Sequence, residues 1–599
     1  MLLLAVAALL LLASAPYLSG VSGRFVNWDD NHYIYDNGLV KELNWASAGR
    51  ILAHPYYTDY SPVFLLTLAV EYRAFGGSAL GFRLASVALH VVGVLLVFAL
   101  LRRLMADPLA AFIGAGLFAA HPVQVESVSW ITEQKNLLSL VFLLLCFLAY
   151  IRAEDPPERS GRWYALSIGM AILACFTKPS TVILPLLLAL HDQCFRGGRT
   201  WDIVRRVAPF VALALAAALL GIHAQMQSNA VAPLHGGSWS ANLLTMLPVY
   251  ADYLRLFLLP VGLTTYRPKV IHTTLLDWRV VAGLAFVLAL IAVGAILWRR
   301  SRRAFFWLAW VPVSLLPVAN LIPMRILMAE RYMHLPMIGL AAMGGLAVAW
   351  GFQKAQAAQA RVAYGALTVA ALAMLSAISF QRAFVWRDSL SLWRSTVACA
   401  PNDTVPQLNL GATYIEGATP RAEQALRAFR RVPLRADSEA GDREMLYFNM
   451  GNAYLHLSQA DAALECLLEA NRIAPNDAPC WYSLALAYHM KNMAVEEELA
   501  LRKTIEYNPG SLQAHNNLGT LLMKSGRLQE AEEHLLKAAT LDPRQPLTHY
   551  NLALLYTKMG ELSKARDSLR RCLALAPPDF PKLQEARQRL QQIEQQVAP

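Results

Sequence analysis

The feature that most constrains this 599-residue chain is the recurrence, through its first 380 residues, of apolar runs about as long as a bilayer is thick. A helix rises 1.5 Å per residue, so roughly 20 apolar residues cross a hydrocarbon core of ~30 Å. Such runs fall at 2–20, 82–101, 109–121, 136–151, 163–177, 179–195, 207–222, 279–298, 304–322, 333–351 and 363–380. They predict an all-α fold whose first part is a polytopic membrane bundle of about eleven spans. Residues 241–262 are nearly as apolar, yet Asp252, Arg255 and two prolines interrupt them, a costly combination against lipid, and they read as re-entrant or interfacial. With 56% hydrophobic and only 16% charged residues, a purely soluble enzyme of this size is excluded.

Charge supplies an orientation. Up to residue 380 there are 28 basic and 17 acidic residues, and 25 of each thereafter, so the whole excess of +11 belongs to the first part. It gathers in Arg102-Arg103, in Arg152, Arg159 and Arg162, in Arg196, Arg199, Arg205 and Arg206, in Arg299, Arg300, Arg302 and Arg303, and in Lys354 with Arg361. All five groups share one side of an eleven-span arrangement, which marks that side as cytoplasmic. The N-terminus is then expected inside, with loop 21–81 and everything from residue 381 outside. Ala13-Ser14-Ala15 resembles a signal-cleavage site, but no basic stretch precedes the apolar run, so a retained first span is expected. The Ala- and Leu-rich composition points to a bacterial inner membrane with the C-terminal part in the periplasm, or to an endoplasmic-reticulum membrane and lumen in a eukaryote. The balanced charge of that part gives no nucleic-acid patch, and the seven cysteines lack a disulfide or zinc spacing.

The last 200 residues repeat. Asn449-Met450-Gly451, Ser483-Leu484-Ala485, Asn517-Leu518-Gly519 and Asn551-Leu552-Ala553 each follow the last by 34 residues, and Pro475, Pro509, Pro543 and Pro577 keep the same step. A 34-residue period with small residues where two helices touch, an aromatic such as Tyr454, Tyr488 or Tyr556, and a closing proline is the tetratricopeptide pattern. An irregular earlier unit starts near Asn409-Leu410-Gly411. The domain reading is therefore 1–380 membrane unit, 381–403 linker or first helix, and 404–599 solenoid of about five repeats with a capping helix at 580–597. Such arrays either present a concave peptide-binding face or act as spacers, and the pattern alone favours neither.

Unusual polar residues cluster on the expected outer face, where ionisable groups near lipid usually serve a purpose. Asp29 and Asp30 sit in Asn27-Trp28-Asp29-Asp30-Asn31, ahead of an aromatic stretch from His54 to Tyr60. Adjacent carboxylates repel, so one can be a base near neutral pH, or both can share a cation; the plainer alternative is a solvated turn. His121 and Glu126, in His121-Pro122-Val123-Gln124-Val125-Glu126, lead on to Glu133 and Lys135 and offer contacts to a phosphate or sugar. Lys178 precedes Pro179, and Glu330-Arg331-Tyr332 opens the segment to Pro336. Lys178 is as readily a snorkelling anchor and Glu330 with Arg331 a local ion pair, although Lys178 or Arg331 would suit a lipid phosphate.

In this order, the NWDD segment after the first span, HPVQVESVSW, KPS, AERYMHLPMIG and then 34-residue repeats, the chain resembles the transmembrane and tetratricopeptide-repeat O-mannosyltransferase family and its bacterial relatives. The resemblance covers nearly the whole chain. It implies a GT-C-class glycosyltransferase that takes a sugar from a polyprenyl-phosphate carrier on the non-cytoplasmic face. It implies mannose as the sugar, a Ser or Thr hydroxyl of a protein as acceptor, and recruitment of that acceptor by the repeats. By resemblance Asp29 and Asp30 are the catalytic pair, and His121, Glu126, Lys135, Glu330, Arg331 and Tyr332 belong to donor-binding motifs. Where an Arg-Pro would be expected after the aromatic stretch, Tyr60-Ser61-Pro62 stands instead, which leaves Arg331, Lys178 or Arg267 to contact the phosphate. No cofactor is expected beyond a divalent metal, for which Asp29 and Asp30 are the only candidates.

The chemistry so implied is a single inverting displacement: an aspartate takes the acceptor hydroxyl's proton and a cation offsets the departing phosphate. No Walker loop, dinucleotide fingerprint, nucleophile elbow or HExxH is found. The competing reading is a non-catalytic membrane-anchored repeat scaffold for envelope or secretion assembly, which has no need of adjacent carboxylates in an aromatic loop. A transporter, suggested by Asp252 and Arg255 in a broken segment, lacks evident inverted repeats.

Overall fold

A computed structural model describes residues 2–57, 59–153, 160–197, 199–227, 232–417, 419–433 and 440–597. Thr58, inside the stretch from His54 to Tyr60, and Arg159, in the second basic group, lie outside the described residues. Among the described residues the regular structure is helical, apart from one β-bridge between Tyr56 and Asp59. The chain divides into two compact units, Met1–Pro401 and Asn402–Pro599. Residues 381–403 are not a bare linker: helix Ala358–Val385 runs into them, and a further helix, Ser389–Cys399, belongs to the first unit.

Among the described residues, seven helices of the first unit are long and apolar enough to cross a membrane: Leu2–Val21, Ala79–Leu104, Ile131–Arg152, Thr200–Gln227, Trp278–Arg300, Pro336–Lys354 and Ala358–Val385. Pro108–Ala120 and Pro122–Ser129 make an eighth if a pair bent by 50° is one span. The expected count of eleven also included runs that form Ser160–Thr177, Leu184–His191 and Arg302–Leu315. These helices have 18, 8 and 14 residues, and the two shorter ones would reach only roughly 12 and 21 Å. A hydropathy run does not register where a helix stops. The ambiguous stretch 241–262 is mostly one helix, Trp239–Leu258, in which Asp252 and Arg255 answer each other in a half-exposed ion pair at 3.0 Å.

The core of this unit lies where Ala79–Leu104, Pro108–Ala120, Gln134–Arg152 and Pro336–Lys354 meet, around Val97, Phe118, Phe147, Trp310 and Ile338. Small residues permit the approach. A Cβ on Gly345 would lie 2.3 Å from the carbonyl oxygen of Ala110, so the two backbones touch there.

The second unit is built of helical pairs: Thr404–Ile415 with Ala422–Phe429, Ala440–His456 with Ala460–Ile473, Ala478–Met490 with Ala494–Tyr507, Leu512–Lys524 with Leu528–Leu541, and Pro546–Met559 with Leu562–Leu575. Leu583–Val597 follows them. The repeated small residue has a steric cause: a Cβ on Gly451 would meet Cγ of Leu467, on the second helix of its pair, at 2.5 Å. Successive first helices are tied laterally by Ser483 donating to Asn452 (2.8 Å), Asn517 to Tyr482 (3.1 Å) and Asn516 to Thr548 (2.7 Å).

Candidate active site

The site is assembled where helix ends of the first unit converge. Helix Gln134–Arg152 begins with the polar residues Gln134, Lys135 and Asn136, and just before it Ile131–Glu133 forms a short 3₁₀ turn. Glu133 is the hub. Its carboxylate accepts from Asn136 (2.6 Å) and pairs with Lys178 (3.2 Å) and Arg331 (3.6 Å). Lys178 also donates to Asn136, and Lys135 pairs with Asp59 at 3.3 Å while lying 5.2 Å over the Tyr33 ring. Arg331 is anchored on Glu126 by its guanidinium (2.6 Å) and by its backbone N–H (2.8 Å). Burial works against charge on Arg331, yet Glu126, Tyr332 and Glu133 hold its pKa above the ordinary value, so it stays a cation. Burial lowers the pKa of Lys178, with Glu133 opposing.

The two aspartates sit differently. Asp30 is fully buried and its oxygens are taken: Oδ2 accepts from the Val26 N–H (3.0 Å), and Oδ1 from the N–H (3.1 Å) and hydroxyl (2.5 Å) of Thr132. Asp29 is half-buried among charges, with Lys135 and Arg331 favouring its ionised form and Glu133 and Asp30 disfavouring it. Burial dominates and pushes its carboxyl up to about 6. Tyr57, which feels the Asp29 charge, stacks on His32 (4.6 Å) and holds φ +57°, an uncommon conformation for a bulky residue.

A narrow cleft opens beside this cluster. Lys178, Arg331, Asn136 and Tyr332 give it a polar end, while Leu140, Leu143, Pro317, Val318 and Leu335 give it an apolar wall. Cationic groups at the head of an apolar slot can hold a phosphate on a hydrocarbon tail.

Of the residues singled out in the sequence, Asp29, Glu126, Lys135, Lys178, Arg331 and Tyr332 are thus brought together. Glu330 and Arg267 form a neighbouring group: Glu330 is buried between Arg267 (3.6 Å) and Arg382 (3.7 Å), and burial raises its pKa against both cations. Neither lines the cleft. His121 is held apart, with Nε2 on the Phe257 carbonyl (2.9 Å) and Nδ1 accepting from the Val123 N–H (3.3 Å); it caps a turn. Among the described residues no three His, Cys, Asp or Glu side chains converge as a metal site. The N–H and O–H donors already seated on Asp30 do not fit a cation shared with Asp29.

Sequence reasoning passed over Glu133 as a site residue, and with it Asp59, Thr132 and Arg83. Arg83 donates to the carbonyls of Ser129 (3.0 Å), Arg24 (2.6 Å) and Trp386 (2.7 Å), tying three segments around the first loop. A solitary arginine at the start of an apolar run was the available signal.

These features define a class: a polytopic helical membrane protein with a buried charged site beside an apolar cleft, continued by a tetratricopeptide array. A model of the dolichyl-phosphate-mannose-protein mannosyltransferase family matches residues 54–223, and tetratricopeptide-repeat models match 446–477 and 510–577. Human protein O-mannosyl-transferase TMTC3 is 26% identical over 546 residues, 81% of this chain and 58% of its own length. The Caenorhabditis elegans protein O-mannosyl-transferase F38B6.6 is 24% identical over 69% of this chain and 61% of its own, and human TMTC4 is 31% identical over 27% and 24%. The chain is similar to the TMTC-like, tetratricopeptide-repeat O-mannosyltransferases over most of its length, and it spans a little under three fifths of the length of TMTC3.

Proposed function

We propose that the protein is a GT-C-class membrane mannosyltransferase that moves the sugar from a polyprenyl-phosphate carrier to a protein hydroxyl on the non-cytoplasmic side. The observation that carries this reading is Arg331, which lines the apolar-walled cleft and also acts on the Asp29 carboxylate. The carrier's phosphate would sit on Arg331 and Lys178 with its tail along Leu140, Leu143 and Leu335. Asp29, raised to about 6 and mostly ionised at pH 7, takes the acceptor hydroxyl's proton as that oxygen attacks the anomeric carbon. The bond from that carbon to the phosphate oxygen breaks, and Arg331 and Lys178 receive the charge of the leaving phosphate. Asp30 holds the loop through Thr132 and takes no proton.

The placement on the outer face rests on opposite ends of the same helices. Gln134–Arg152 starts with Lys135 at the site and ends in Arg152, Pro336–Lys354 follows Arg331 and ends in Lys354, and Ala79–Leu104 ends in Arg102 and Arg103. Basic residues prefer the cytoplasmic side, so the site ends face away from it. On this reading the repeats would lie in the periplasm of a bacterium or in the endoplasmic-reticulum lumen of a eukaryote. The lateral ladder of Asn452, Ser483, Asn517 and Tyr482 supports a role for the repeats in recruiting an extended peptide acceptor.

The test is reconstitution of the full chain in liposomes with polyprenyl-phosphate mannose and a Ser/Thr-containing peptide, beside glycoproteomics of cells with and without the gene. Transfer that requires Asp29 supports the reading. A wild-type protein that neither binds nor consumes the lipid-linked sugar makes the scaffold reading the better one.

A further inference from the structure

In the sequence, residues 386–393 read as the start of a connector. In the structure they close against the loop that carries Asp29. The Asn27 N–H donates to Ser389 Oγ at 2.9 Å, and Trp393 Nε1–H donates to Asn27 Oδ1 at 2.7 Å. The Trp28 ring lies 4.8 Å from that of Trp393, with Trp130 edge-on at 6.1 Å. Trp386 stacks on Trp130 (5.6 Å, 21°), and its carbonyl accepts from Arg83, whose guanidinium also holds the Arg24 carbonyl. Trp386 and Trp393 are wholly buried.

We propose that Trp386, Ser389 and Trp393 are positioning residues for Asp29, so that the segment leading toward the repeats is part of the transfer machinery and not a tether. This rests on the reading of Asp29 as the base. Thr132 fixes the loop after Asp29 by gripping Asp30, and residues 386–393 fix it before Asp29 by gripping Asn27 and Trp28. With one grip gone the loop pivots on the other. Asp29 faces Lys135, Arg331, Glu133, Asp30 and Tyr57, groups of both signs, so a small displacement changes both its reach and its ionisation. A misplacement of ~1 Å at a reacting group can cost about a hundredfold in rate.

The experiment compares full-length Trp393→Phe, which keeps a ring against Trp28 but loses the N–H donor, and Ser389→Ala with wild type in the liposome assay. Each is expected to lower kcat about fivefold to tenfold, the scale of one lost hydrogen bond, while donor KM stays within about twofold. The acid limb of the kcat profile is expected to move below 6, because a loosened Asp29 is better solvated and less pushed up. Asn27→Ala combined with Trp393→Phe should cost less than the sum of the two single losses, since both remove the Trp393–Asn27 bond. Wild-type kcat and an unmoved acid limb in both single variants would overturn the proposal, as would losses matched by an equal fall in donor affinity and thermal stability. Asp29→Asn separates the two claims: if it retains transfer, the functional reading falls; if it is inactive while Trp393→Phe and Ser389→Ala behave as wild type, only the positioning role falls.

Discussion

The two units hold their charges in opposite ways. In the membrane unit, Arg331 with Glu126 (2.6 Å) and Lys178 with Glu133 (3.2 Å) are almost entirely buried. In the repeat unit, Arg527 pairs with Glu530 (2.6 Å) and Glu498 (2.8 Å), and Arg502 with Glu530 (3.1 Å), at comparable distances but on side chains 25–45% exposed. Distance alone therefore says little. A surface pair costs almost nothing to hold and contributes little, whereas a buried network must overcome desolvation of every member. A buried network of this kind is where the proposed chemistry would sit, and in that reading the second unit contributes shape and contact.

The sharpest break in that contrast comes from the acidic pair. Asp29→Asn is expected to lower transfer by about 10²–10⁴-fold, the usual loss for a general base, with insertion unchanged and a melting temperature at pH 7 no lower than wild type. Asp30→Asn removes an acceptor from under Val26 and Thr132 and should instead cost about 1–3 kcal/mol of stability, with activity falling as the loop loosens. Rate against pH distinguishes them further. Asp29 must be charged to act, so kcat should climb through pH 6 and level off above it. Stability tied to this group runs the other way. Its folded pKa lies above the unfolded value, so the contribution is complete below about 4 and is lost as pH rises through 6. An acid limb that stays in place in the Asp29→Asn variant assigns it to another group.

Next in size are the cations. Arg331→Met leaves Glu126 and Glu133 facing each other without their shared guanidinium, and breaking a buried pair in this way costs about 3–5 kcal/mol. Poor yield and a lowered melting temperature are expected, so the binding role is better read from Lys178→Gln. Glu133 there keeps Arg331 and Asn136, and the lost charge should raise the donor's KM about tenfold with kcat less affected. A KM unchanged in liposomes would remove Lys178 from the phosphate site.

These expectations also mark what the sequence could carry. The repeats were legible because a 34-residue period repeats a small residue with a steric reason, Gly451 against Leu467 and again Gly519 against Leu535. The candidate site was legible as segments, since Asp29, Glu126, Lys178 and Arg331 are polar residues at the ends of apolar runs. Their pairing was not, because Glu126 and Arg331 are 205 positions apart and no local pattern links them. Two identical neighbours, Asp29 and Asp30, could not be told apart until Thr132 was seen to occupy one of them. The span count differs for a related reason: the apolar runs at 179–195 and 304–322 continue past the ends of the short helices Leu184–His191 and Arg302–Leu315.

A smaller effect is expected inside the repeat unit. Gly451→Val places a branched carbon against Cγ of Leu467, and overpacking of this kind typically costs about 1–3 kcal/mol. Thermal melting followed by tryptophan fluorescence should show the drop, while kcat on the lipid-linked donor stays at its wild-type value below the transition. A fall in kcat at low temperature would mean that the repeats reach the chemistry, and the division of labour drawn above would fail.

The smallest effect is the most direct test of the contrast between buried and surface charge. Arg527→Gln breaks pairs at 2.6 and 2.8 Å, as short as the one between Arg331 and Glu126, and removes the cation shared by Glu498 and Glu530. Judged by distance it should be as damaging as the loss of Arg331. Judged by solvent, it should be nearly silent, because Glu498 and Glu530 retain Arg502 and all of these groups stay hydrated. The melting temperature is therefore expected to match wild type within measurement in 0.15 M salt, with any small difference appearing only at low ionic strength, where the Debye length grows from about 8 Å to roughly 30 Å at 0.01 M. A large, salt-independent loss would show that the Arg527 cluster is shielded in the working protein by something that excludes water, and the repeat face carrying it would then have to be treated as an interface.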